Sequence, residues 1–454
     1  MPRTFTRRTL LPAPADEVFA WHARPGAFER LVPPWERVRT VERTGGIENG
    51  ARLVLAMRAG PVRLRWVAVH RDVVPGREFT DEQVAGPFAR WVHRHQITPS
   101  GPDACELVDH IEYALPLGAL SEWTAPFTVG PRLERMFRYR HDLTEADLAL
   151  HGRHRDVERL RIGVTGARGL VGSRLVPLLT TGGHDVVRFT RQAAPGPDEA
   201  TWVPSEGLPP EAGPLDAIVH LAGANVAGRR WSDDWKREIR DSRVGPTRAL
   251  AESVARWPRP PHTLICASAV GFYGDCGDRT VDETAGPGDG FLAEVCRDWE
   301  AATSPAVDAG IRVVRLRIGL ALSPVGGALA GLLPAFLAGA GGRVGTGRQF
   351  MSWVGIDDVA GAVVHALCSP AITGAVNVSA PEAVTNAVFT HTLARVVRRP
   401  AVLRVPSPLL RAAYGELADT LVGGAKVYPG VLERTGYRFR HRSLEAALRH
   451  LLGR

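Results

Sequence analysis

The chain has 454 residues, 44% hydrophobic and 23% charged, a size and balance that suit two or three globular domains with buried cores. Its formal net charge of +8 is carried almost wholly by arginine, since lysine occurs only at Lys236 and Lys426. The arginines are spread along the sequence, which argues against a nucleic-acid surface. No apolar run is long enough to span a membrane, the opening MPRTFTRRTLLPAP lacks a signal peptide's apolar core, and five scattered cysteines without a CxxC pair suggest reduced thiols and a cytoplasmic protein.

In chain order, Phe5 to Leu11 reads as a strand, and Pro14-Ala15-Asp16 opens a helix through Val18, Phe19 and Trp21. A second short helix, 27–31, stops before Pro33-Pro34. Strand-like stretches follow at 39–43, 52–57, 62–70, 90–97 and 104–113, several alternating apolar with polar residues as half-buried antiparallel strands do. His93 and His95 share a strand face, but no third ligand stands at a convincing spacing, so no metal is expected. A long helix over 131–150 closes the segment, with Leu133, Met136, Phe137 and Leu143 on one face. This succession resembles the helix-grip fold of the START-like polyketide-cyclase (SRPBCC) superfamily. The resemblance, over residues 1–150, implies an α+β domain in which a curved antiparallel sheet wraps the last helix around a cavity for an apolar ligand. Trp21, Trp35, Trp66, Phe88, Trp91 and Trp123 would line that cavity or, equally, fill a core.

The polar stretch 151–156 reads as a linker. Beyond it, from residue 160 to the end, comes the pattern around which the chain is organised. Ile162 to Val164 is a short buried strand, Gly166-Ala167-Arg168-Gly169-Leu170-Val171-Gly172 a glycine turn, and Leu175, Leu178 and Leu179 recur at helical spacing before a second strand, 186–190. Strand, glycine turn, helix and strand in this order are the setting of a dinucleotide fingerprint, spaced here as GxxGxxG. Gly166 permits the sharp turn, Gly169 clears space for a pyrophosphate, and Gly172 lets the helix pack close to the sheet. The helix N-terminus, with Leu170, then faces the phosphates. The second strand ends in Phe189-Thr190-Arg191 with no carboxylate to hold a ribose 2′-OH. Arg191, helped by Arg168, therefore favours a 2′-phosphate and NADP.

The stretch 195–214 reads largely as loop. A buried strand, 215–221, ends in Leu221-Ala222-Gly223, whose small residues suit a cofactor lying against the backbone. A helix over 231–256 with Ser232 as N-cap follows, then a strand, 262–268, that delivers Ser268 and Tyr273 to the crevice. After it come a helix, 290–309, a strand, 311–318, a glycine-rich substrate-side loop or lid, 324–347, a helix after Trp353, and helices at 386–398 and 444–452. The fold class expected is a doubly wound parallel Rossmann domain beside the helix-grip domain.

TGARGLVG, HLAGANVAGRRW, ASAVGFYGD, FLAEVCRDWEAA, GRQFMSWVGIDDVAGAV and NVSAPEAVTNAVFTHTLARVVRRP occur in this order and resemble the epimerase-like subgroup of atypical extended short-chain dehydrogenase/reductases. Ordinary members use a tyrosine with a lysine four residues later. Four residues before Lys236 and Lys426 stand Ser232 and Val422, so that dyad is absent, and its place reads Phe291-Leu-Ala-Glu-Val295. By the resemblance Ser268 takes the usual serine's place, and Tyr273 is the best replacement proton donor. Trp353 is an expected substrate contact, and Arg317 either binds an anionic substrate group or, equally, forms a structural ion pair. The implied activity is NADP-dependent oxidoreductase or epimerase-like chemistry on a small polar or sugar-nucleotide-like substrate. The alternative is a catalytically weak NADP-binding sensor or scaffold. Self-association is compatible with either.

Overall fold

The computed structural model describes the chain apart from Met1 and residues 60–61, 117–124, 193–195, 197, 406–414 and 417–422. Backbone contacts divide it into two compact units, the first built essentially from Met1–Asp156 and the second from Val157–Leu179 and His184–Leu452.

The first unit is one antiparallel sheet with three helices. Its strands are β1 (Arg3–Leu11), β2 (Val38–Thr44), β3 (Arg52–Ala59), β4 (Val62–Val74), β5 (Glu78–Ala85), β6 (Arg90–Pro99) and β7 (Cys105–Ala114), in the spatial order β1-β7-β6-β5-β4-β3-β2. Helices α1 (Ala15–Ala23) and α2 (Ala27–Leu31) follow β1, and α3 (Ala125–Arg153) follows β7. This is the helix-grip arrangement. Alternation is visible in β6, whose Trp91, His93, His95 and Ile97 are buried while Arg90 and Arg94 are exposed. Phe137, Leu143 and Leu148 of α3 are fully buried, and Phe137 packs with Trp91, Ile111 and Tyr113. The buried ion pair of Arg30 with Asp147, bidentate at 2.7 and 2.8 Å, ties α2 to α3.

Two sequence expectations change here. The strand β5, EFTDEQVA, was not expected, because acids and a glutamine hide its apolar signal; pairing with β4 and β6 overrides propensity. Helix α3 begins ahead of Pro131, which reads as a helix start in sequence, and runs through Arg153 into the expected linker.

The second unit holds a seven-stranded, all-parallel sheet: β8 (Arg161–Thr165), β9 (Asp185–Thr190), β10 (Glu199–Thr201), β11 (Ala217–His220), β12 (Thr263–Ala269), β13 (Arg312–Ile318) and β14 (Gly374–Val378). Their order is β10-β9-β8-β11-β12-β13-β14, so the chain reverses its direction of progress between β8 and β11. That reversal is the switch point at which doubly wound sheets open a crevice beyond their carboxyl ends. The strands are near-continuous buried runs, as covering both faces requires (β11 is buried at all four positions). The helices that concern the site are α4 (Gly172–Thr181), α5 (Asp233–Asp241), α6 (Val244–Ala255), α7 (Phe291–Ala301) and α8 (Ile356–Cys368).

The single helix expected over 231–256 is two, α5 and α6. Pro246 lacks the N–H that would bond the Ser242 carbonyl, and its ring crowds that carbonyl, so the helix breaks there. Ser232 caps α5 by accepting from the Trp235 N–H. The expected lid over 324–347 contains a helix, Gly327–Leu337, and the expected loop over 195–214 contains β10. Among the described residues no helix is long and apolar enough to cross a membrane.

Candidate functional site

The glycine turn lies at the switch point. Gly166 takes φ +69°, and a Cβ there would stand 2.8 Å from the Leu221 carbonyl carbon and 2.9 Å from the Ala222 nitrogen. The turn after β8 thus crosses directly against the chain leaving β11, and only glycine fits. A Cβ on Gly172 would stand 2.3 Å from the Gly166 carbonyl oxygen and 2.7 Å from Ala167 Cα. Gly172 therefore serves close packing of α4 on the turn itself, rather than on the sheet as the sequence suggests. Gly169 is exposed and a Cβ there would meet only the Gly166 oxygen, at 3.1 Å, leaving open space on its outer side. Leu221 and Ala222 are half-buried and Gly223 exposed. These features suit a pyrophosphate against the turn and the first N–H groups of α4. Leu170 is drawn the other way, against the chain at Gly326 and Gly327.

At the end of β9, Arg191 is exposed, with no ion pair among the described residues. Arg168 is held: its guanidinium lies 3.0 Å from Glu199 and donates to Gln192 Oε1 at 3.1 Å. Glu199, on the unexpected strand β10, also accepts from the Gly196 N–H, and these bonds hold its carboxyl below the usual range. The sequence reading missed this carboxylate because it lies on the neighbouring strand rather than at the end of β9.

Ser268, Tyr273 and Arg317 come together, but inside the protein. Ser268 donates to Glu300 Oε1 at 2.7 Å, and Arg317 grips both Glu300 oxygens at 2.9 Å. Arg317 also donates to the Tyr273 hydroxyl at 3.0 Å, and Tyr273 donates to Asn377 Oδ1 at 2.7 Å. The Arg317 guanidinium stacks 3.4 Å over the Phe272 ring. Ser268 is 3% and Tyr273 2% exposed, so in this arrangement both hydroxyls are spent on protein partners. Ser268 closes the continuously buried run of β12, and its half-buried neighbour Ala269 carries no hydroxyl. Burial raises the Tyr273 pKa, opposed by Arg317, and the phenol stays protonated near neutrality. Of the two roles open to Arg317, the structure shows the ion pair, made with Glu300.

Trp353 is corrected outright. It is fully buried, packs in a core cluster with Leu322, Phe336 and Phe389, and its Nε1 donates to the Glu382 carbonyl, so it belongs to the core and not to a substrate surface. Lys236 binds Glu416 at 2.8 Å and Asp233 at 3.1 Å. Phe291, where the family's tyrosine would stand, begins α7 and packs against Trp231.

The first unit contains a cavity of about 430 Å³ between sheet and helices. Trp66, Phe88 and Trp91 line it, whereas Trp21 belongs to a separate core cluster and Trp35 packs on Tyr139; Trp123 lies outside the described residues. Its wall also carries His93, His95 and Asp81, and β5 brings the last of these beside the histidine pair.

Comparison with known proteins agrees with both halves. Residues 162–379 match the model of the NAD dependent epimerase/dehydratase family, residues 11–136 that of polyketide cyclase / dehydrase and lipid transport, and 405–451 a domain of unknown function. An epimerase family protein of Mycobacterium bovis is 44% identical over 290 residues, 63% of this chain and 96% of that protein. The crystal structure of a nucleoside-diphosphate sugar epimerase from Corynebacterium glutamicum superposes with a TM-score of 0.82 at 33% identity, covering 99% of this chain and 90% of the other. The human epimerase family protein SDR39U1, crystallised with NADPH, gives a TM-score of 0.60 at 35% identity, covering 64% and 99%. The chain belongs to the epimerase family proteins, atypical members of the short-chain dehydrogenase/reductase type, here joined to an N-terminal polyketide-cyclase-like domain.

Proposed function

We propose that the second unit binds NADP and serves as an oxidoreductase or epimerase-like enzyme on a small polar, sugar-nucleotide-like substrate, while the first unit holds an apolar ligand. The observation that carries the cofactor reading is the Gly166–Gly172 turn pressed against Leu221 and Ala222 at the switch point, with Gly169 facing open space. NADP is preferred to NAD because Arg191 is exposed at the end of β9 and in no ion pair among the described residues, while Glu199, which could otherwise meet a ribose hydroxyl, is occupied by Arg168 and the Gly196 N–H. The NADPH in the human relative supports the same choice. Bound, such a cofactor supplies hydride. The chain's part is to hold the phosphates on Gly166, Gly169, Leu170 and Gly172 and the 2′-phosphate on Arg191, helped by Arg168, with Leu221, Ala222 and Gly223 along the ribose. Tyr273 would supply a proton by exchanging Asn377 for substrate, with Ser268 fixing Glu300 and Arg317 behind it. Free thiols at all five cysteines support a reducing, cytoplasmic setting.

A second reading, a weakly catalytic NADP-binding sensor, is favoured by the same buried network, which leaves no free hydroxyl at the end of β12 and no Tyr-x-x-x-Lys dyad to replace it. Fluorescence titration with NADPH and NADH tests the shared premise. NADPH is expected to bind more tightly, with the preference reduced about tenfold in Arg191→Ala; equal affinities in the native chain would contradict the assignment.

A further inference from the structure

Four neighbouring strands carry acidic and imidazole side chains at matched register on the cavity side of the N-terminal sheet. Asp81 on β5 stands opposite His70 on β4 and opposite His93 on β6, and His95, two residues further along β6, stands opposite Asp109 on β7. Because the positions are paired across the ladder, the backbone fixes their mutual placement. His93 is 3% exposed, His95 5% and Asp109 3%.

The two ends of each group face different partners. Asp81 Oδ2 lies 3.3 Å from His95 Nε2 and 3.7 Å from His93 Nδ1, while Asp81 Oδ1 is held by His70 Nε2 at 2.8 Å. The far nitrogens of both histidines meet one carboxylate: His93 Nε2 is 3.1 Å from Asp109 Oδ1, and His95 Nδ1 is 2.6 Å from the same oxygen, though off the line of a hydrogen bond. Asp109 is braced in turn by His141 Nε2 of α3 at 2.7 Å, and His141 Nδ1 lies 2.7 Å from Thr9 Oγ1. Asp81, His93 and His95 line the cavity; Asp109 and His141 do not.

We infer that Asp81, His93 and His95 form a binding site for one divalent first-row transition-metal ion at the polar wall of this cavity. Their three inward atoms lie within 4.8 Å of one another. The Asp81 separations approach the ~3.4 Å expected between neighbouring ligands bonded at 2.0–2.2 Å in a tetrahedral shell. Two imidazoles and a carboxylate suit zinc or ferrous iron rather than calcium or magnesium. Asp109 and His70 play the outer part that metal-binding histidines and carboxylates require, fixing which nitrogen is free and where it points. Three protein ligands leave a position open, and it faces the cavity, where water or an oxygen of a bound molecule completes the shell. The site stands whether or not an apolar molecule fills the rest of the cavity, and it is independent of nicotinamide binding in the second unit.

The test is titration of the tag-free, chelator-stripped full chain with Co²⁺ alone, followed by its visible absorption. One Co²⁺ per chain with the strong bands of a low-coordinate ion, displaced by Zn²⁺, is expected. Asp81→Ala and His95→Ala should abolish the bands at matched protein concentration, and Asp109→Asn should weaken affinity about 10–100-fold. Should these variants fail to fold, anomalous scattering from a Co²⁺-soaked crystal of the native chain decides the matter, with a peak among Asp81, His93 and His95 expected. Absence of uptake at millimolar Co²⁺, bands unchanged in folded His95→Ala, or a peak elsewhere only, would overturn the assignment in favour of a metal-free His–Asp network.

Discussion

Tyr273 carries the proposed proton transfer, because its hydroxyl is the one phenol at the end of β12 and already has a donor in Arg317 and an acceptor in Asn377. Replacing it by phenylalanine removes one proton and one oxygen from a buried network while leaving the ring packed on Phe272. If Tyr273 protonates substrate, Tyr273→Phe should lower kcat at least a hundredfold with NADPH affinity unchanged, measured in any assay with turnover. Unchanged kcat would leave the tyrosine a purely structural role. Asp358, at the start of α8, gives a prediction on stability. Its carboxyl is buried, accepts from Tyr437 and the Arg440 N–H, and is pushed up to about 6, chiefly by burial. A carboxyl whose folded pKa lies above its unfolded value stabilises below about pH 4 and loses that contribution as pH rises through 6. The shift corresponds to about 3 kcal/mol at most. Asp358→Asn, which keeps the accepting oxygen, should therefore raise Tm relative to the native chain more at pH 8 than at pH 4 in thermal melts; equal gains would contradict the burial argument.

At the scale of elements, the sequence was most legible where a strand is buried on both faces or a turn admits only glycine. The run from Ile162 to Val164, the turn at Gly166 and the helix Leu444–Leu452 stand as expected because apolar spacing and backbone freedom are local properties. β5 and β10 were invisible because polar sequences become strands there only through pairing with their neighbours. The cost of missing them fell on the sites. Without β5, His93 and His95 lacked Asp81; without β10, Arg168 lacked Glu199. The partner of Ser268 was hidden for a different reason: Glu300 lies on α7, and only the packing of that helix brings its carboxylate to the end of β12. Trp353 sits in one of the stretches that carry the family resemblance, but only packing reveals that it serves the core there.

As a whole molecule the chain joins two units of different fold. The likeness to the Corynebacterium glutamicum structure spans both, whereas the mycobacterial and human relatives match about 63–64% of this chain. The cavity of the first unit, walled by Trp66, Phe88 and Trp91, has room for a molecule of moderate size. Mass spectrometry of the gently purified full chain is expected to find a co-purifying apolar compound. Ala68→Phe, which narrows the cavity, should lose that compound and keep NADPH affinity; a chain without such a ligand under all conditions would remove the proposed role.

The crevice of the second unit carries the central claim, and a crystal structure of the native chain soaked with NADPH tests it most directly. Density for the pyrophosphate against Gly166–Gly172, with the 2′-phosphate at Arg191 and the ribose beside Leu221 to Gly223, is the expected result. A crevice left empty at saturating NADPH, or the cofactor bound elsewhere, would contradict it.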